Sequence, residues 1–376
     1  MPLPATTVER ESSILARYAM HSADSRGRKH PEPEQSYRGP YQRDRDRIVH
    51  TSAFRRLSGK MQVFTGDMGD YHRTRLTHTH EVASIARTMG RALRLNEDLV
   101  EALALFHDIG HPPFGHAGED ALNECLQEEG GFSHNRHGLT IAEELEHPYP
   151  NFAGLNLTHE VLEMQQTRIR KGDPSSPLLE AQAVEAADSM TYDAHDCDDA
   201  IKLKLLTMEE LAQTSLVGAA VAAVKERFAN VTGDKLRRAI QRELLDRQVR
   251  DVLATAGQFL TTCEDATAEE VRQMAFRIGP SPELREQKQE LERLLYSRVY
   301  RHPRLLEMRT GAQARIHQMF DGYLARPELL PPLYRQRAAK VGLKRAAGDY
   351  LAGMTDRYCD QQFGEHFATG SKPQNA

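Results

Sequence analysis

One stretch limits what this chain can become: residues 103–119, LALFHDIGHPPFGHAGE. A dense apolar run, Ala102 to Phe106, ends abruptly at His107-Asp108. A Gly/Pro loop follows, bringing in His111 and His116, with Glu119 one helical turn further on. So apolar a run demands burial, and a buried charge without a partner costs several kcal/mol or neutralises itself. A divalent metal is the simplest partner for an adjacent His and Asp, if the rest of the chain supplies more donors.

The surrounding text is helical. Apolar positions recur at helical spacing over 79–95 (Val82, Ile85, Ala86, Met89, Leu93) and fill most faces of 97–108. Further helices are expected over 117–128, 137–147, 158–171, 178–206, 208–231, 233–262, 266–278, 283–300, 304–325 and 334–363. KGDPSSP at 171–177, Pro280-Ser281-Pro282 and Pro331-Pro332 punctuate them. No run of β-alternation and no repeat period is present. The expected class is all-α, with residues 1–47 an N-terminal arm, 48–206 a core, 207–368 a helical region completing the pocket and oligomer contacts, and 369–376 a disordered tail.

A chain of 376 residues can bury a substantial core as one large or two moderate domains. Nothing approaches the roughly 20 apolar residues of a membrane span. The start, MPLPATTVERESSIL, carries no apolar segment after a basic one, so a cytoplasmic protein is expected. The four cysteines stand far apart, without CxxC spacing, which argues against structural zinc and a disulfide framework. A net charge of −5 argues against general nucleic-acid coating, although the 49 basic residues can still gather around an anionic ligand.

Four polar positions on otherwise apolar helices make a donor set: His78, His107, Asp108 and Asp188. His78 and His80 are two residues apart and do not share a helix face, so only one turns inward, and His78 is the choice. Two imidazoles and two carboxylates suit Mn²⁺, Fe²⁺, Ni²⁺, Co²⁺, Zn²⁺ or Mg²⁺ acting on phosphate esters. Pro112 and Pro113 stiffen the loop between His111 and His116. Glu119, three residues after His116, can hold that imidazole as a general acid requires. His134, in the GGFSHNRHG loop, is a candidate donor to a phosphate or leaving oxygen. On 178–206, Asp188, Tyr192, His195 and Asp199 share one face, with Asp196 on its flank. Asp193 and Asp198 read as part of a solvated acidic face. Arg75 and the pair Arg55-Arg56 are candidate phosphate clamps, since guanidinium matches phosphate geometry.

These residues resemble the H…HD…D signature of the HD-domain metal phosphohydrolases. FRRLSGKMQVF, TRLTHTHEV, FHDIGHPPFGHAGE, FSHN and EAADSMTYDAHDCDDAI together are similar to the dGTPase branch, the deoxynucleoside-triphosphate triphosphohydrolases. The likeness is strong over roughly residues 40–205. It implies an HD-domain helical core with additional C-terminal helices, and one divalent metal, Mn favoured in vitro, on His78, His107, Asp108 and Asp188. It implies that His111, His116, Glu119 and His134 work on the α-phosphate, His116 protonating the leaving 5′ oxygen. Arg75 would bind phosphate, Gln62 and Tyr192 the deoxyribose, and Asp196 would sit near the 3′-hydroxyl. The implied reaction turns a dNTP and water into deoxynucleoside and tripolyphosphate, in a homo-oligomer (tetramer or hexamer). Ser189, Met61 and His80 depart from the usual pattern, the first two bearing on base preference. Two alternatives stand beside this: an HD enzyme for another nucleotide (5′-nucleotidase or cyclic-nucleotide phosphodiesterase), or a non-catalytic regulator binding nucleotide or single-stranded DNA.

Overall fold

The apolar run at 102–106 is the C-terminal half of a helix, Glu97–Phe106, in which Leu99, Val100, Leu103, Ala104 and Phe106 are fully buried. Asn96 caps it, Oδ1 accepting from the Leu99 amide at 3.3 Å, and Glu97 and Asp98 complement the helix dipole. The computed structural model describes residues 5–33, 35–62, 73–169, 176–228 and 230–368. The segment GDMGDYH at 66–72, most of the KGDPSSP stretch and the residues from 369 lie outside these residues.

Among the described residues the fold is all-α, as expected, with only isolated β-bridges. The helices are α1 (Thr7–Ile14), α2 (Pro40–Val49), α3 (Ser52–Arg56), α4 (Arg75–Ala92), α5 (Glu97–Phe106) and α6 (Gly115–Cys125). Then come α7 (His134–Thr140), α8 (His159–Ile169), α9 (Leu179–Lys202), α10 (Met208–Leu211), α11 (Ser215–Arg227) and α12 (Gly233–Leu260). The last are α13 (Ala268–Arg272), α14 (Pro282–Leu295), α15 (Pro303–Ala325), α16 (Pro332–Val341), α17 (Leu343–Ala352) and α18 (Asp356–His366). Three expected long helices are broken. Residues 208–231 become α10 and α11, 283–300 becomes α14 plus a π-helical turn at Tyr296–Tyr300, and 334–363 becomes α16, α17 and α18. No helix among the described residues is long and apolar enough to cross a membrane.

The chain divides into two units: Met1–Ile48 with Thr79–Leu105 and Asn156–Pro303, and Val49–His78 with Phe106–Leu155 and Arg304–Ala376. In the first unit, the N-terminal segment is stitched down by buried polar groups. Glu180 of α9 accepts from the Met20 amide at 2.9 Å and the Asn96 amide at 3.2 Å. Asn96 in turn donates to the Met20 carbonyl at 2.8 Å and to Glu11 at 3.1 Å. The acids of α9 expected on a solvated face are buried instead. Asp193 pairs with Lys288 of α14, and Asp198 with Arg237 of α12 and Lys202. Lys288 and Arg237 lie far away in sequence, so the local acidic pattern could not reveal them.

In the second unit, Phe114, Leu122, Leu126 and Phe132 pack against Ile316, Met319, Phe320 and Tyr323 of α15, and against Tyr350, Leu351 and Cys359 from α17 and α18. Beside this core Lys60 is buried, its ammonium donating to the His111 carbonyl at 2.5 Å and the Ala352 carbonyl at 2.9 Å. Burial, reinforced by Arg56 and Arg75, pushes Lys60 down from 10.5 to about 7. Unfolding returns it to its ordinary value, so between about pH 7 and pH 10 the unfolded chain binds more protons, and this group's contribution to stability rises with pH. The Lys60→Met variant should lack that rise. Denaturant unfolding at both ends of the window should show wild type gaining on the variant by roughly 2–3 kcal/mol, and a pH-independent difference would refute a depressed lysine.

Candidate active site

In the second unit α4 opens at Arg75, so His78 stands in its first turn. His78 is buried and His80 exposed, as their two-residue spacing requires. His107 and Asp108 follow the last turn of α5. The His78 and His107 rings lie 5.8 Å apart between centroids, tilted by 56°. The loop after Asp108 lies directly on the start of α7. A Cβ on Gly110 would stand 2.0 Å from the His134 carbonyl oxygen, so only glycine permits that approach.

Asp108 is buried at the centre of this arrangement. Its Oδ2 accepts from Arg75 Nη1 at 2.9 Å, and its Oδ1 faces His111 Nε2 at 3.2 Å and His107 Nε2 at 3.5 Å. Burial pushes the carboxyl up, but His107, His111 and Arg75 overcome it and hold Asp108 well below its usual value. His111 moves the other way. Burial, then the charges of Arg75 and His134, hold its pKa well below the ordinary range, so this imidazole is neutral at pH 7. Its Nδ1 is buried and has no hydrogen-bond partner among the described residues.

His134, expected in a loop, is instead the first residue of α7, with Ser133 as its cap. It stacks on His111, ring centroids 3.8 Å apart. Glu119 Oε1 accepts from the His134 amide at 2.8 Å and lies 2.8 Å from its Nδ1, while Oε2 lies 3.4 Å from His116 Nδ1. Burial pushes Glu119 up, but hydrogen bonds from His116 and His134 hold it well below the carboxylate range. The His116 side chain is 58% exposed, and it reaches solvent while an ionised carboxylate holds its inner nitrogen. That is the form of a proton donor.

Gln62 and Arg75 are both buried, and Arg75 Nη2 donates to the Gln62 backbone carbonyl at 3.3 Å. The Gln62 Oε1 is buried without a hydrogen-bond partner among the described residues. Arg55 is exposed and bonded to the His50 carbonyl at 3.0 Å. In this unit the donor atoms of His78 and His107 lie within 4.8 Å of each other. The donor atoms of His111, Glu119 and His134, all within 4.8 Å of one another, form a second group. Mixed imidazole and carboxylate sets of this kind fit a divalent cation, with imidazole favouring the transition metals.

Asp188, Tyr192 and Asp196 belong to the first unit, at successive four-residue steps along α9 that bring Asp196 to the flank of the face the other two share. Asp188 Oδ2 lies 3.8 Å from Arg168 Nη2 of α8. His195, placed on the same face by its spacing, is buried and bonded to Glu81 of α4 at 2.6 Å. Asp196 is buried and accepts from the Tyr300 hydroxyl, which is also bonded to Tyr192. Burial, then the negative charge of Asp196, push the Tyr300 phenol far above its usual range. Sequence reading missed Tyr300. It sits on the π-helical turn at Tyr296–Tyr300, whose wider winding a count at 3.6 residues per turn misplaces.

The sequence model of the HD domain family matches residues 75–193, beginning three residues before His78 and ending five after Asp188. That of the phosphohydrolase-associated domain matches residues 278–365. Three curated relatives are each called deoxyguanosinetriphosphate triphosphohydrolase-like protein. The one from Bordetella pertussis is 41% identical over 373 residues, covering 95% of this chain and 97% of that protein. The Thiobacillus denitrificans protein is 41% identical over 357 residues (92% and 95%), and that of Nitrosomonas europaea 39% over 369 residues (95% and 98%). His107→Ala should weaken Mn²⁺ binding, read by calorimetry, beyond the ~10–100-fold typical of losing an outer-shell partner. Wild-type affinity in a folded variant would remove His107 from the donor set.

Proposed function

The chain belongs to the HD-domain family, in its deoxyguanosinetriphosphate triphosphohydrolase-like branch, and on that premise we propose that this metal-dependent nucleotide hydrolase cleaves deoxynucleoside triphosphates. Water attacks the α-phosphorus, the bond from phosphorus to O5′ breaks, and the products are deoxynucleoside and tripolyphosphate. The observation that carries this reading is Glu119 holding the exposed His116 on one oxygen and His134 on the other, in the unit that buries Asp108 and Arg75.

The proposed ligands are His78, His107, Asp108 and Asp188. The HD family match runs unbroken from α4 to α9, which supports taking Asp188 with the other three. A divalent ion there would supply positive charge to the α-phosphate oxygens. Arg75, already buried against Asp108, adds a fixed guanidinium for a phosphate oxygen. Neutral His111, stacked on His134, offers an acceptor beside the attacking water. His116 donates its proton to O5′ as that bond breaks, with Glu119 fixing the orientation of its ring. Gln62 is proposed to meet the sugar with its buried amide oxygen, and Tyr192 and Asp196 the deoxyribose and its 3′-hydroxyl.

Incubating the protein with each dNTP and Mn²⁺ should release nucleoside and intact tripolyphosphate. Nucleotide products, or inorganic phosphate from a monophosphate, would transfer the site to one of the other HD chemistries. His116→Ala should keep its metal and lose ~100-fold in turnover. Turnover equal to wild type would remove His116 as the acid. Asp188→Ala should lose metal by elemental analysis, and full occupancy would strike it from the ligand set.

A further inference from the structure

Gln62 and His111 lie on irregular backbone, and His116 is delivered by the loop that leads into α6. Irregular segments hold few hydrogen bonds of their own, so something else must fix their register. In the second unit that support comes from the turn between α17 and α18. Asp356, the buried first residue of α18, accepts from the Met61 amide on Oδ2 at 2.9 Å and from the Phe114 amide on Oδ1 at 2.9 Å. Lys60 makes the reciprocal link, from its ammonium to the carbonyls of His111 and Ala352. One carboxylate and one ammonium thus join three segments, 60–62, 111–114 and 352–356, in a closed circuit.

The circuit is tight at each corner. A Cβ on Gly59 would come within 2.8 Å of Thr355 Cγ2, and Thr355 is the cap of α18. Phe114 holds a left-handed backbone, φ 60°, at the head of α6, and its ring lies under the Arg315 guanidinium of α15, 5.2 Å from the centroid. On the far side, the Lys60 carbonyl accepts from the Arg75 amide at 2.9 Å. Residues that bear the chemistry are therefore one or two positions from an atom anchored by Lys60 or Asp356.

We propose that Lys60 and Asp356 are positioning residues, and that the α17–α18 turn sets the distance between the segment bearing Gln62 and the loop that bears His111 and leads into His116 of α6. The phosphohydrolase-associated region is then a working part of the site, not only a neighbouring pack of helices. This rests on the reading of His111 and His116 as proton-handling groups of a phosphohydrolase. Displacements of about 1 Å in such groups cost on the order of 100-fold in rate, whereas a purely structural tie costs folded protein and leaves each folded molecule as fast as before.

The test uses the full chain with Asp356→Asn, which keeps one acceptor oxygen of two, and Lys60→Met, which keeps the packing and removes the donors. Both should retain wild-type circular dichroism and Mn²⁺ content. Their kcat for tripolyphosphate release should fall about 10–100-fold, with a much smaller change in KM. Hydrogen exchange should show peptides covering 59–62 and 110–116 losing protection together. Folded variants with wild-type kcat, or exchange confined to the α17–α18 turn, would overturn the proposal. If Asp356→Asn does not fold, Gly59→Ala serves as a milder wedge with the same expected pair of exchange changes. Should wild type release no tripolyphosphate, the functional reading fails, and the paired exchange result still decides whether one clasp governs both segments.

Discussion

A carboxylate stripped of water at Asp108 is tolerable because a guanidinium and two imidazoles face it. That requirement spreads outward. Arg75 must itself be buried to reach Asp108, so its second nitrogen needs an acceptor and takes the Gln62 carbonyl. Its backbone amide takes the Lys60 carbonyl, which fixes residues 60–62 against the start of α4. On the opposite side His111 meets Asp108 and stacks on His134, and Glu119 fastens His134 to α6. Satisfying one buried charge thereby arranges much of the second unit's chemistry.

The helical class and the candidate site residues are legible because both leave local marks. The apolar run of α5, stopping at His107-Asp108, announces buried polar groups, and the three-residue spacing of His116 and Glu119 announces their contact. What stayed hidden depends on distant partners. Lys60 reaches a carbonyl 292 residues away, and Asp356 an amide 295 residues away. A lysine in FRRLSGKMQVF reads as a surface cation until the atoms that receive it are known. The same holds for Asp193, whose solvated reading failed because Lys288 neutralises it from α14.

Helix boundaries failed for a different reason. Continuous periodicity over 334–363 conceals two breaks, and the first is marked only by Gly342 at a φ of 87°. GGFSHN, rich in turn formers, predicts a loop at His134, yet Ser133 in that same text is the cap that starts α7. Turn composition and helix-start composition overlap, so the residue after the cap is easily misassigned.

The π-helical turn at Tyr296–Tyr300 carries a consequence for how such a chain can vary. An α-helix advances about 100° per residue, so losing or gaining one residue there would swing the Tyr300 phenol a quarter-turn or more off the Asp196 carboxylate. Substitutions elsewhere on α14 alter packing by degrees, but a single-codon insertion or deletion at this bend switches a hydroxyl in or out of place. Length, rather than side-chain identity, is the tunable quantity at that point of the chain.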